Sequence, residues 1–181
     1  MEKLRLILLW VFVVLFSLAG VGCGRGIPNP PDYRTSPFRV ELCGVRGEEK
    51  VSAEGSYSPS KVPDLPWDFT LRLTSPKSLE GIILRRQDGT VSLSFEGMET
   101  DADSLDGLLS LLSLPATTGE IKGLSLDRTM GEPLLYAQIE KEGEVSPLEL
   151  WLDPESGFPK QIKKGELSLD ILFFEPISSD T

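Results

Sequence analysis

The sequence predicts a mainly β (α+β) domain, a strongly curved antiparallel sheet with one short helix packed on or capping its apolar face. Three observations carry this prediction. From Phe38 onward, apolar and polar residues alternate with period two in nine or ten short runs, the signal of half-buried strands. One stretch alone, DADSLDGLLSLLSLP, changes to the helical period. No unit of about 20–50 residues repeats, so a solenoid or propeller is not indicated.

The elements follow in order. Phe38, Val40 and Leu42 alternate with Arg39, Glu41 and Cys43. A turn at Arg46–Glu49 leads to a second strand from Lys50 to Tyr57, with Val51, Ala53 and Tyr57 on one face. The proline-containing loop SPSKVPDLP precedes WDFTLRLT, the clearest strand. There Trp67, Phe69, Leu71 and Leu73 face one way and Asp68, Thr70, Arg72 and Thr74 the other, so one face is buried and the other wet. After the connection SPKSLEG, the strand GIILRRQ reaches Asp88-Gly89. That dipeptide suits a two-residue type I′ hairpin, whose central residues both need positive φ. Val91, Leu93 and Phe95 alternate on the return strand.

Leu105, Leu108, Leu109 and Leu112 then follow the i, i+3, i+4, i+7 spacing of a helix face. Asp101 or Asp103 is placed to cap its start, Asp106 complements the positive end of its dipole, and Pro115 stops it. Strands resume over Lys122–Arg128, Leu134–Lys141, Pro147–Leu152, Gln161–Lys164 and Leu167–Phe174. Leu148, Leu150 and Leu152 share a face. Leu167, Leu169, Ile171 and Phe173 share another, with Phe174 opposite. The segment DPESGFP reads as a turn.

Upstream of the domain the chain has a different character. Lys3 and Arg5 precede an apolar run from Leu6 to Ala19, broken only by Ser17, and small or medium residues lead to Cys23. This is the layout of a secretory signal peptide. The residues before Cys23 resemble a bacterial lipobox, in which the first mature residue, the cysteine, receives a diacylglycerol on its thiol. An uncleaved membrane anchor or ordinary secretion are the alternatives. The first two readings place the chain on the extracytoplasmic side of a membrane and tied to it. Acyl chains contribute about 0.8 kcal/mol per buried methylene, so two or three of them, palmitate for example, anchor firmly. Residues 24–37, GRGIPNPPDYRTSP, read as a flexible tether. The expected division is therefore a lipoprotein signal peptide at 1–22, a tether from lipidated Cys23 at 23–37, and a folded domain at 38–181.

Composition narrows the chemistry. The chain carries 28 acidic and 18 basic residues, a net charge of −10, with no basic stripe, so nucleic acid is not an expected partner. There is no histidine, which removes Ser-His and Cys-His nucleophiles and histidine metal sites together. No cofactor or metal is expected. Cys43, one of only two cysteines, reads as a small packed residue. The Asp101-Ala-Asp103-Ser-Leu-Asp106 run lacks the glycine and the terminal glutamate of a calcium loop. Ser58-Pro-Ser-Lys61 has the S-x-x-K pattern but not its companion motifs. Glu48/Glu49 and Asp153/Glu155 sit in turns, as solvated residues do. Arg85 and Arg86 end a strand at a hairpin and read as an exposed edge, with a ligand clamp as the alternative.

Two blocks resemble the LolA/LolB superfamily of envelope lipoprotein carriers and its Gram-positive and germination-lipoprotein relatives. One is LRLTSPKSLEGIILRRQDGTVSLSFEGME, through Pro76, Leu79, Gly81 and Phe95-Glu96-Gly97-Met98. The other is ELWLDPESGFPKQIKKGELSLDILFFEP, through Asp153, Pro154, Gly157, Pro159 and Phe173. The resemblance implies an incomplete barrel around an apolar cavity with a helical lid. It implies a non-enzymatic protein that binds a lipid or other apolar ligand. Trp67, Phe69, Leu71, Leu73, Leu108, Leu112, Ile171 and Phe173 then become the expected cavity or lid residues. The alternative is an interaction module with a filled core that binds or tethers an envelope protein, for example a wall-lytic enzyme.

Overall fold

The computed structural model describes residues 31–46, 48–62, 65–101, 105–140 and 146–178. The apolar N-terminal segment, Cys23 and Asp103 lie outside the described residues.

Eleven antiparallel strands form one sheet. They are β1 (Phe38–Arg46), β2 (Glu49–Ser58), β3 (Asp68–Ser75), β4 (Ile83–Gln87), β5 (Thr90–Phe95), β6 (Met98–Asp101), β7 (Ile121–Asp127), β8 (Leu134–Ile139), β9 (Leu148–Leu152), β10 (Pro159–Lys164) and β11 (Leu167–Pro176). Their spatial order is β6-β5-β4-β3-β2-β1-β11-β10-β9-β8-β7. Two meanders therefore meet where β1 pairs with β11, and the sheet stays open between its edges β6 and β7, as an incomplete barrel. The chain passes from one edge to the other through the helix α1 (Asp106–Leu112) and a 3-10 turn at Leu114–Ala116. Among the described strands this connection alone joins opposite sheet edges, and the described apolar residues of α1 and the 3-10 turn lie against the sheet.

The turns are those the sequence demands. Asp88 and Gly89 have φ of 49° and 84°, as a type I′ hairpin requires. Glu96 and Gly97 repeat the geometry at 49° and 83°. That second turn makes β6, a strand the alternation did not reveal because its four residues are all exposed. In the DPESGFP turn the Asp153 carboxylate accepts from the backbone N–H of Ser156 at 2.8 Å and of Glu155 at 3.1 Å. Those N–H groups, the Ser156 one foremost, hold the Asp153 carboxyl below the usual carboxylate range.

The inner face of the sheet is filled. Leu42, Leu71, Leu84, Leu112, Leu135, Leu150, Ile162 and Leu169 are all buried in one continuous core. Fully burying each such side chain contributes roughly 1.5–3 kcal/mol. α1 enters this core through Leu111 and Leu112. Gly44 makes room for it, since a Cβ there would lie 2.4 Å from Leu111 Cδ2.

Three sequence expectations are corrected. The helix is not capped by Asp101, which ends β6. Its first turn follows Leu105, whose side chain makes no capping hydrogen bond, while Asp106 does lie in that turn. Phe173 does not face the core. The register between β1 and β11 slips between Glu41 and Leu42, which pair with Phe173 and Ile171 and leave Leu172 as an extra residue. Such a bulge reverses the inward–outward alternation beyond it. Phe173 is consequently 46% exposed, and Phe174 turns inward to stack on Phe38 at 4.8 Å and pack on Phe158 at 4.6 Å.

The packed unit also starts ahead of Phe38, inside the segment that reads as tether. Asp32 caps a 3-10 turn at Tyr33–Thr35, and Tyr33 is buried edge-on against Phe38 and Phe174. Arg34 pairs with Asp32 at 2.6 Å and donates to the carbonyls of Thr117 at 2.8 Å and Gly119 at 3.0 Å. Burial pushes the Asp32 carboxyl up, but the Arg34 hydrogen bonds and charge outweigh it and hold the group below its usual range.

Candidate functional site at the mouth of the half-barrel

Register determines what reaches the barrel mouth. The two-residue turn at Asp88-Gly89 fixes Leu84 opposite Leu93 and Arg86 opposite Val91. On the other side β3 places Leu71 opposite Leu84 and Phe69 opposite Arg86. Arg86 therefore shares the inner face with Leu84, two residues away. Its guanidinium lies 4.7 Å from the Phe69 ring centroid. Its Nε donates to the Trp67 carbonyl at 2.6 Å and its Nη1 to Ser113 Oγ at 3.1 Å. Ser113 Oγ donates in turn to the Leu109 carbonyl at 2.6 Å. Tyr57 reaches the same helix end, its hydroxyl donating to the Leu112 carbonyl. These bonds fix the end of α1 to β2 and β4; the Tyr57 hydroxyl gives the Leu112 carbonyl a partner from the sheet, while the Leu109 carbonyl also accepts from the Ser113 backbone N–H at 2.9 Å.

Beside this junction lies an open cleft of about 1090 Å³. One wall is the β2–β3 loop, with Val62, Leu65 and Trp67. The floor is the α1 end and 3-10 turn, with Ser113 and Leu114, and Arg86 stands between them. Lys164 and Leu167, from the β10–β11 hairpin, close the far side. Val62 is 43% exposed, an apolar side chain left in the open at the rim. Burial pushes the Arg86 guanidinium below its usual range, partly offset by the electrostatic influence of Tyr57 and Asp68.

The residues expected to form a cavity are dispersed by this geometry. Trp67 lines the cleft. Phe69, Leu71, Leu73, Leu112 and Ile171 are buried core on the inner sheet face and the helix. Leu108 is half-buried on α1 against that core. Phe173 lies on the outer face, where it borders a shallower depression with Arg39, Glu41, Glu54 and Arg72. Sequence reasoning did not single out Ser113, Leu114 or Lys164. Arg86 it placed at an exposed edge, although its parity with Leu84 pointed inward. Among the described residues no three His, Cys, Asp or Glu side chains converge as metal ligands do, and no helix is long and apolar enough to cross a membrane.

Comparison with protein-family profiles and with curated sequences finds no match. Several solved structures are similar. MucB is 15% identical with a TM-score of 0.49, covering 82% of this chain and 56% of its own, so the chain spans little more than half of MucB. MucB has also been solved with MucA, from Pseudomonas aeruginosa. A Vibrio parahaemolyticus domain described as an outer membrane lipoprotein-sorting protein is 6% identical with a TM-score of 0.43, covering 84% of this chain and 89% of its own. The Mycobacterium tuberculosis lipoprotein LppX is 13% identical with a TM-score of 0.40, covering 80% and 90%. At such identities the likeness concerns sheet architecture alone, and the site is argued from this chain's own residues.

Proposed function

We propose that this chain is a non-enzymatic envelope lipoprotein, held at the extracytoplasmic face of a bacterial membrane by acyl chains on Cys23, whose domain binds a lipid or another apolar ligand. The observation that carries the reading is the cleft at the barrel mouth, with Val62, Leu65, Trp67 and Leu114 in its lining. The sheet interior is occupied by leucines, so the ligand site moves from the inner face to the mouth. Its volume of about 1090 Å³ lies just above the range of about 300–1,000 Å³ usual for small-molecule sites. Apolar surface removed from water there gains roughly 25 cal/mol per Å².

The test is binding of N-phenyl-1-naphthylamine, a neutral apolar probe whose fluorescence rises out of water. Saturable uptake, weakened several-fold by Val62→Asp with Leu65→Asp while the thermal midpoint is unchanged, is the expected result. No uptake, or uptake indifferent to both changes, sinks the reading. The anchor is tested separately, by the mass of the N-terminal peptide of the membrane-extracted protein.

A second reading, an interaction module for an envelope protein, is favoured by Leu172 and Phe173. The bulge leaves them 67% and 46% exposed on the outer face. Site-specific photocrosslinking from position 172 in intact envelopes tests it.

A further inference from the structure

In a chain of 28 acidic and 18 basic residues, the described lining of the cleft holds Arg86 and Lys164. Its other polar groups are hydroxyls, among them Ser110, Ser113 and Thr117. Arg86 is half-buried and belongs to none of the ion pairs found among the described residues. Asp68 is the carboxylate that influences it, and its Oδ1 accepts from the backbone N–H of Asp88 at 2.9 Å. Arg86 Nε and Nη1 are taken up by neutral oxygens of Trp67 and Ser113. A partly desolvated cation held by neutral acceptors against an open cleft is a seat for an anion. Val62, Leu65 and Leu114 line the same cleft and offer apolar surface beside that seat.

We infer that the cleft takes an anionic amphiphile, its head group on the Arg86 guanidinium and its tail along the apolar residues Val62 and Leu65 of the β2–β3 loop. The inference rests on the cleft being the ligand site and adds the charge of the ligand. A guanidinium donates to a carboxylate or a phosphate oxygen equally well in geometry, so the head group is either of these.

The test uses the full chain in nanodiscs of zwitterionic lipid, with three photoactivatable probes of equal chain length: a fatty acid, its alcohol and a lysophosphatidate. Labelled peptides are read by mass spectrometry at about pH 8.5, well above the carboxylate range. A charge-assisted hydrogen bond predicts that an acidic probe labels residues 59–67 and 110–118 about tenfold more than the alcohol. Arg86→Gln abolishes that preference, read as the ratio of acid to alcohol labelling within the same protein. Arg86→Lys keeps a charge for the anion and retains part of the preference, while Arg85→Gln, on the exposed neighbour, changes nothing. Stronger labelling by the fatty acid identifies a carboxylate ligand, and stronger labelling by the lysophosphatidate a phosphate lipid; either supports the inference. Equal labelling by alcohol and acids overturns the inference but keeps the cleft as an apolar site. Labelling of the cleft by none of the three overturns both. Circular dichroism of each variant separates loss of binding from loss of fold, and Arg86→Lys with native ellipticity and no acid preference also counts against the inference.

Discussion

Replacing Tyr57 by Phe removes one oxygen and isolates the bond that ties the end of α1 to the sheet. The Tyr57 hydroxyl is fully buried and donates to the Leu112 carbonyl. Without it that carbonyl loses the partner reaching it from β2. Leaving a buried acceptor unsatisfied costs about 1–3 kcal/mol. For a domain of this size each kcal/mol moves the thermal midpoint by about 2–4 °C, so a fall of about 2–12 °C is expected. The penalty also depends on pH in a calculable direction. Burial pushes the Tyr57 phenol above its ordinary pKa. Its stabilisation is complete below the unfolded value of about 10 and declines above it, because the unfolded chain then releases a proton that the folded chain keeps. The wild-type protein loses about 1.4 kcal/mol from this residue by about pH 11, and the variant does not. Tyr33, which burial also pushes upward, is present in both and cancels. Denaturant unfolding of residues 24–181 at about pH 8 and about pH 11 measures the two gaps. A neutral substitution, or a penalty that does not shrink with alkali, would refute the assignment of this hydroxyl as the tie.

Three further outcomes are expected. Phe173→Ser should change stability by less than about 0.5 kcal/mol, whereas Phe174→Ala should cost about 3–5 kcal/mol, and chemical denaturation that ranks them the other way would contradict the bulge at Leu172. Gly44→Val places carbon where Leu111 Cδ2 lies 2.4 Å from the ideal Cβ, so α1 must lift. The expected cost is about 1–3 kcal/mol, with faster amide exchange in residues 106–116. Asp32 and Asp153 have depressed folded pKa values, so their contribution is present above about pH 3.9 and is lost as pH falls through those folded values. Acid titration of Asp153→Asn should show a shallower acid limb than the wild type.

Much of the fold was legible because period and turn chemistry agree. The alternation of Trp67, Phe69, Leu71 and Leu73 made β3 plain, and all four are buried. Asp88-Gly89 set a hairpin register that carries through β3, β4 and β5. What escaped depends on partners far along the chain. The bulge that exchanges Phe173 for Phe174 arises from pairing with β1, and nothing local in LDILFFEP announces it. Tyr33 sits among prolines and polar residues, and its burial comes from aromatic neighbours at Phe38 and Phe174. Leu111 falls off the 3.6-period face that Leu105, Leu108 and Leu112 mark, yet it is buried, its Cδ2 lying over Gly44 of β1. Of the cleft residues, Trp67 was legible from the alternation around β3, and Arg86 too carried a readable signal. The Arg85-Arg86 pair hid it, since either parity presents a cation to water.

The central claim is that the domain carries an apolar ligand at the barrel mouth. Native mass spectrometry of residues 24–181, purified from a lipid-containing host, tests it most directly. The expected result is a stoichiometric added mass of an acyl lipid that disappears with Val62→Asp and Leu65→Asp in a protein that remains folded. A bare wild-type domain, unable also to take up an added fatty acid or its alcohol, would contradict it.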